Sequence, residues 1–286
     1  MDRFVWPPRP SRPAAPSQTS PSSEDAPRAA ARLPTLSPEP PTPSPIPPLQ
    51  RAILDVERSW LGLVSPPAWI RAAEAGWQPD PSGAFCTRCG TTRPGGDSIA
   101  DGSCDACRGK RLRWSRAIRL GAYEGVLKTM VKEIKFHQQR ATARWLGTIL
   151  ADHIIHAVRD AGGEWVLVPV ASSLRRRISR GIDHAMTLAR AVGDRSGLEV
   201  VPALVRRRHT PEQAGLSASS RARNIAGAFG VRRGAETGGR GMILVDDVRT
   251  TGATLTAAAK ALGAPPERVW AATLAVTERG GEKWDV

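Results

Sequence analysis

The stretch GMILVDDVRTTGATL, residues 241–255, constrains this 286-residue chain more than any other. An apolar run at 242–245 ends on two adjacent aspartates, and threonines and a glycine follow before an Ala-rich segment begins near Leu255. A short apolar run reads as a buried strand, the Thr/Gly segment as a turn and the Ala-rich segment as a helix. The aspartates then sit at the carboxyl end of the strand, where open α/β sheets bind their ligands. Backbone N–H groups of such a turn converge, the helix dipole is positive there, and the hydroxyls of Thr250, Thr251 and Thr254 add donors; this is a phosphate cradle. Asp246 and Asp247 beside it suit the vicinal hydroxyls of a ribose, with Mg²⁺ as a further partner. Together the two halves describe a ribose 5-phosphate site. The plainer alternative is an ordinary strand-to-helix turn with one aspartate as a cap. No Gly-Lys-Ser/Thr occurs, which argues against triphosphate hydrolysis of the P-loop type.

The surrounding pattern gives that strand its neighbours. Apolar positions at Leu127, Met130, Val131 and Ile134, then at Leu146, Ile149, Leu150, Ile154 and Val158, predict two helices. WVLVPV at 165–170 reads as the first strong strand, followed by a helix over 182–192, a strand over 198–205 and a last strand, RVWAATLAV, over 268–276. Strand and helix in alternation predict an α/β fold, a parallel sheet with helices on both faces. Ile53, Leu54, Leu61 and Leu63 suggest a short helix within 51–80.

All four cysteines lie in CTRCG and CDACRGK, as Cys86, Cys89, Cys104 and Cys107. Two Cys-x-x-Cys knuckles joined by a short loop place four thiolates tetrahedrally, so a closed structural zinc site is the leading reading, ahead of two redox pairs or a disulfide framework. Such a module has too small a core to hold without its metal. Residues 1–50 are rich in Pro, Ser and Ala and are expected to be disordered; 51–115 form a helical lead-in and the zinc module, and 116–280 the main domain. With neither an export signal nor a run long enough to span a bilayer, a cytoplasmic protein is expected. The formal charge of +14 favours polyanionic partners, either nucleic acid or phosphorylated metabolites.

ILVDDVRTTGATL resembles the phosphoribosyl pyrophosphate (PRPP) motif of the type I phosphoribosyltransferases, and the chain as a whole resembles the ComF family, linked to natural competence and DNA uptake. The likeness covers about residues 85–276. It includes the four-cysteine module, YEG at 123–125, IKF at 134–136, VPV at 168–170 with the arginines after it, RG at 180–181, and the stretch 210–229. It implies a phosphoribosyltransferase-like fold in which Asp246 and Asp247 hold the ribose hydroxyls. Val245 and the loop of Thr250, Thr251, Gly252, Ala253 and Thr254 would bind the ligand, the loop wrapping the 5-phosphate. Ala171, Ser172, Arg175 and Arg176 would face the pyrophosphate, with Arg176 in a catalytic role beside the aspartates. Residues 206–224, including Arg208 and Arg221, match a mobile loop that closes over the site. The implied reaction moves a phosphoribosyl group from PRPP, carried with Mg²⁺, to a nitrogenous acceptor.

Three departures qualify that picture. Thr250 stands where the purine-salvage branch has an aspartate that serves as base, which argues against purine salvage. Asp183 and His184 replace an Asn-Gln pair, and His184 either acts on a substrate or packs at a helix start. Ala171 stands where the family often has proline. Two functions therefore compete: a transferase, or a non-catalytic protein that senses PRPP or a nucleotide while its basic surface engages single-stranded DNA or the DNA-uptake machinery. RLRWSR at 111–116 interleaves Trp114 with arginines, so Trp114 either stacks bases or anchors the small module.

Overall fold

The computed structural model describes residues 66–93, 103–136, 139–171, 183–207, 225–235 and 237–278. The segment expected to be disordered and the helix built on Ile53 to Leu63 lie outside these residues. A first short helix, α1 (Ala68–Glu74), leads to the cysteine knuckles, and the chain then enters β1 (Arg116–Ala122). Next come α2 (Gly125–Phe136), α3 (Arg140–Ala161), β2 (Trp165–Pro169), α4 (His184–Ser196) and β3 (Glu199–Val200). The last part comprises β4 (Leu204–Arg206), β5 (Phe229–Val231), β6 (Gly241–Arg249), α5 (Ala253–Leu262), a 3₁₀ turn (Pro266–Arg268) and β7 (Val269–Val276). Among the described residues no helix is long and apolar enough to cross a membrane.

Five strands form one parallel sheet in the order β1-β7-β6-β2-β3. Successive side chains of a strand point to opposite faces, and the core divides accordingly. Leu167, Ile243, Val245 and Ala272 pack with Leu127, Leu146, Ile154 and Leu188 from α2, α3 and α4. Val166, Val168, Met242, Leu244 and Ala271 pack with Leu255, Ala258 and Ala259 of α5. Helices therefore cover both faces, the α/β arrangement that the alternation predicts.

Three expectations change. A strand, β1, precedes the two helices, in front of the run read as the first strong strand. Its arginines hid it: Arg119 lies within it at 0% exposure, held by Asp80 at 2.6 Å and Glu278 at 2.9 Å. Residues 198–205 do not form one strand. The chain breaks around Pro202, leaving β3 on the main sheet and β4 paired antiparallel with β5 in a separate ribbon. Proline has no N–H for a ladder, which accounts for the break. Finally, β6 does not stop at Val245 but stays paired with β7 through Asp246↔Thr273 to Arg249↔Val276.

From β2 the chain runs outward through α4 to β3, and from β6 it runs the other way through α5 to β7. Between β2 and β6 the winding reverses. A crevice forms outside the carboxyl ends of strands at such a point.

Candidate functional site

Two segments of the chain meet this end of the sheet. One follows β2, and its Ala171 is partly buried; Ser172, Arg175 and Arg176 fall outside the described residues, as do Arg208 and Arg221. The other is the end of β6, which carries the aspartate pair, together with the Thr/Gly turn that follows the strand. The two strands are locked together where they enter the crevice, with Pro169 opposite Val245 and the Val170 N–H donating to the Val245 carbonyl at 2.9 Å. Val245 itself is fully buried and belongs to the sheet core.

The strand continues through the pair, and the two carboxylates meet different partners. Asp247 meets α2, where Lys135 Nζ lies 3.1 Å from its Oδ1, both side chains being about five-sixths buried. Asp246 Oδ1 accepts the N–H of its neighbour Asp247 at 2.9 Å. Burial and the neighbouring Asp247 charge push the Asp246 carboxyl up to about 7, against the counter-pull of that hydrogen bond, Lys135 and Arg206. Burial works against the charged form of Lys135, but the Asp247 carboxylate outweighs it and raises the ammonium above its ordinary value. Arg206, at the end of β4, stacks its guanidinium over Phe229 at 5.3 Å. The acidic pair thus sits between a lysine from one face of the sheet and an arginine from the other.

Beyond the pair the chain turns into α5. Gly252 occupies the left-handed region at φ +78° as the residue that opens α5, and the Ala253 N–H donates to Thr251 Oγ1 at 3.4 Å. The first N–H groups of a helix have no partner within it and face outward toward whatever lies before the helix. Thr250, Thr251 and Thr254 line this turn, partly or wholly exposed.

The four cysteines meet at one point. Their sulfurs lie within 4.8 Å of one another, with Cys86–Cys107 at 3.8 Å, Cys89–Cys104 at 3.5 Å and Cys104–Cys107 at 3.9 Å. A tetrahedral Zn²⁺ with bonds of about 2.3 Å needs edges of about 3.8 Å, so the cluster fits a metal such as zinc. All four are free cysteines, at separations well beyond a covalent S–S bond. Crowding makes the sulfurs unequal. A hydrogen bond from Cys89 pulls Cys86 down to about 4; sharing that bond pushes Cys89 up, and burial raises Cys107. A cation is what lets such a set ionise together.

Two further residues from the sequence reading find their places. Trp114 is only 2% exposed, and its Nε1–H donates to the Arg88 carbonyl at 3.1 Å between two of the cysteines. A ring so buried cannot stack a base, so Trp114 is an anchor. Asp183 caps α4 by accepting the Met186 N–H at 3.4 Å, and His184 is buried in the first turn at 4% exposure.

No family model matches the chain. It is 31% identical over 173 residues to the DNA utilization protein YhgH of Escherichia coli K12, an alignment spanning 58% of this chain and 75% of that relative. It is also 31% identical over 178 residues to Competence protein F of Haemophilus influenzae, covering 58% of this chain and 76% of that relative. The chain belongs to the ComF family. In this ComF chain the residue that sequence reading left without a role is Lys135, although it lies in the IKF triplet that carried part of the resemblance. Nothing local marks it, because its partner is more than a hundred positions away and reaches it only through the packing of α2 against the sheet.

Proposed function

We propose that this ComF protein binds PRPP, or a closely related ribose 5-phosphate ligand, in the crevice between β2 and β6. The observation that carries the reading is the aspartate pair running directly into the Thr/Gly turn that opens α5, at the point where the sheet reverses its winding. The turn receives the 5-phosphate, and Asp246 and Asp247 accept hydrogen bonds from the ribose hydroxyls. Mg²⁺ enters on the pyrophosphate of the ligand, and Lys135 and Arg206 balance the acidic pair. A transferase built this way breaks the C1–oxygen bond, the electron pair leaving with pyrophosphate. A nitrogen acceptor then forms the new C1–N bond and gives up a proton. Positioning and stabilisation of the leaving charge supply most of such catalysis, with Arg176 and Arg175 assigned to the pyrophosphate by family resemblance. The four cysteines are assigned to a structural zinc ion.

A link to competence and DNA use is part of the same proposal, supported by the relatives' names and by the charge of +14. Arg108, Arg111 and Arg113 lie exposed on the cysteine module and suit a nucleic-acid backbone.

Isothermal titration of the zinc-loaded protein with PRPP and Mg²⁺, beside an Asp246→Asn/Asp247→Asn variant, tests the site. Saturable one-site binding lost in the variant is expected. Absence of binding by folded wild-type protein would overturn the ligand assignment, and salt-dependent binding of labelled single-stranded DNA by both proteins would leave the second surface as the function.

A further inference from the structure

The cysteine module reaches the phosphate turn through two separate contacts. The first runs through Trp114. Its indole N–H is tied to the carbonyl of Arg88, inside the Cys86–Cys89 knuckle, and its ring lies beneath Gly252, where a Cβ would come within 3.0 Å of Cη2. The second runs through Arg249, the last residue of β6. It donates to Thr91 Oγ1 at 3.2 Å, and the same oxygen lies 3.3 Å from Cys89 Sγ. Leu112 joins the two cores, packing on the cysteine cluster and on the α5 side of the sheet alike. The first contact thus ends on Arg88, next to Cys89, and the second on Thr91, whose hydroxyl meets the Cys89 sulfur; both meet the turn, one on each side of Thr250 and Thr251.

The chemistry of the turn explains why such support matters. Gly252 holds a left-handed conformation and makes no packing contact of its own through a side chain. A free glycine samples many backbone states, and a phosphate cradle works only if its N–H groups already converge. A flat aromatic ring pressed against the glycine removes that freedom without closing the space in front of the turn.

We propose that the four-cysteine module is the floor of the phosphate turn, with Trp114 as the positioning residue, so that metal occupancy of the cysteines sets the affinity for the sugar phosphate. The inference rests on the reading of residues 250–254 as a phosphate cradle. It gives the metal a role in ligand binding that a site serving only to hold the module together does not have. A chain that loses its metal lets the Arg88 carbonyl move, releases Trp114 and frees Gly252.

Amide hydrogen exchange on the full chain tests this, with zinc content measured alongside. In Trp114→Leu with zinc retained, exchange of peptides covering 249–256 rises at least tenfold while α4 is unchanged, and affinity for PRPP–Mg²⁺ falls at least tenfold. Thr91→Val gives a smaller change in the same peptides, and graded chelation reproduces the Trp114→Leu pattern. Unchanged exchange over 249–256 in zinc-loaded Trp114→Leu overturns the proposal, even if chelation unfolds the chain as a whole. Loosened peptides in a protein whose wild type binds no PRPP would sustain the mechanical coupling and refute the ligand reading instead.

Discussion

At the scale of single residues, the site is governed by how two carboxylates share two cations. Asp246 titrates near 7 in the folded chain, mainly through burial and the Asp247 charge, whereas an unfolded aspartate titrates near 3.9. The folded state therefore holds this proton more tightly than the unfolded state. By linkage the Asp246 contribution to stability is full below about pH 4 and is lost as pH rises toward about 7. Asp246→Asn should flatten that decline, giving a smaller fall in melting temperature between pH 5 and pH 8 than wild type shows. Lys135→Met should deepen the decline and carry it to higher pH, because the pair has lost the ammonium that lowers the Asp246 value. Identical pH profiles for all three proteins would remove Lys135 and Asp246 from the electrostatic account.

Elements approach one another closely behind the site, where α3 and α4 cross on the face covering β2 and β6. Gly147 permits the contact: a Cβ there would sit 2.7 Å from the Ala191 Cβ and 3.3 Å from the Leu188 carbonyl. Replacing a helical glycine by alanine gains about 1 kcal/mol of helix propensity. Overpacking costs about 1–3 kcal/mol, because α4 must move and its Leu188 and Val192 sit in the core. Overpacking should win, so Gly147→Ala is expected to lower the melting temperature by about 2–4 °C, which corresponds to a net loss of about 1 kcal/mol. An unchanged or higher value would mean that the two helices separate without penalty. The same scale limits what periodicity reveals. The helices at 127–134 and 146–158 were legible because their apolar stripes repeat every turn, whereas β1 was not, because arginines occupy its pattern.

Over the whole molecule, Arg119 joins parts that lie far apart in the chain. From β1 it donates to Asp80 before the cysteine knuckles, to Thr92 at 2.7 Å just after the first knuckle, and to Glu278 beyond β7. Burial pushes Glu278 up, but hydrogen bonds from Thr92 and Arg119 and the guanidinium charge bring it below its ordinary value. Its contribution is thus present above about pH 4 and fades as acid protonates it. Arg119→Leu leaves two carboxylates facing an apolar side chain. The cost should be about 3 kcal/mol, at the low end for a broken buried pair since water still reaches both acids. Urea denaturation should show that deficit at pH 7 and a smaller one in acid; no deficit at pH 7 would mean the cluster is replaceable.

The sequence by itself determined the elements whose signals are local. Cys-x-x-Cys spacing paired Cys86 with Cys89 and Cys104 with Cys107, an apolar run before Asp246 marked a strand, and Gly252 after Thr251 marked the turn into a helix. Each depends on residues only a few positions apart, where spacing translates directly into geometry. Tertiary structure decided everything that depends on partners distant in the chain: Lys135 against Asp247, Arg206 near Asp246, Arg119 between Asp80 and Glu278, and Trp114 beneath Gly252. Those pairings arise from the order in which strands join the sheet and from which helix covers which face. A sequence pattern carries no such information until the sheet is assembled and burial makes each unpaired charge or empty space costly.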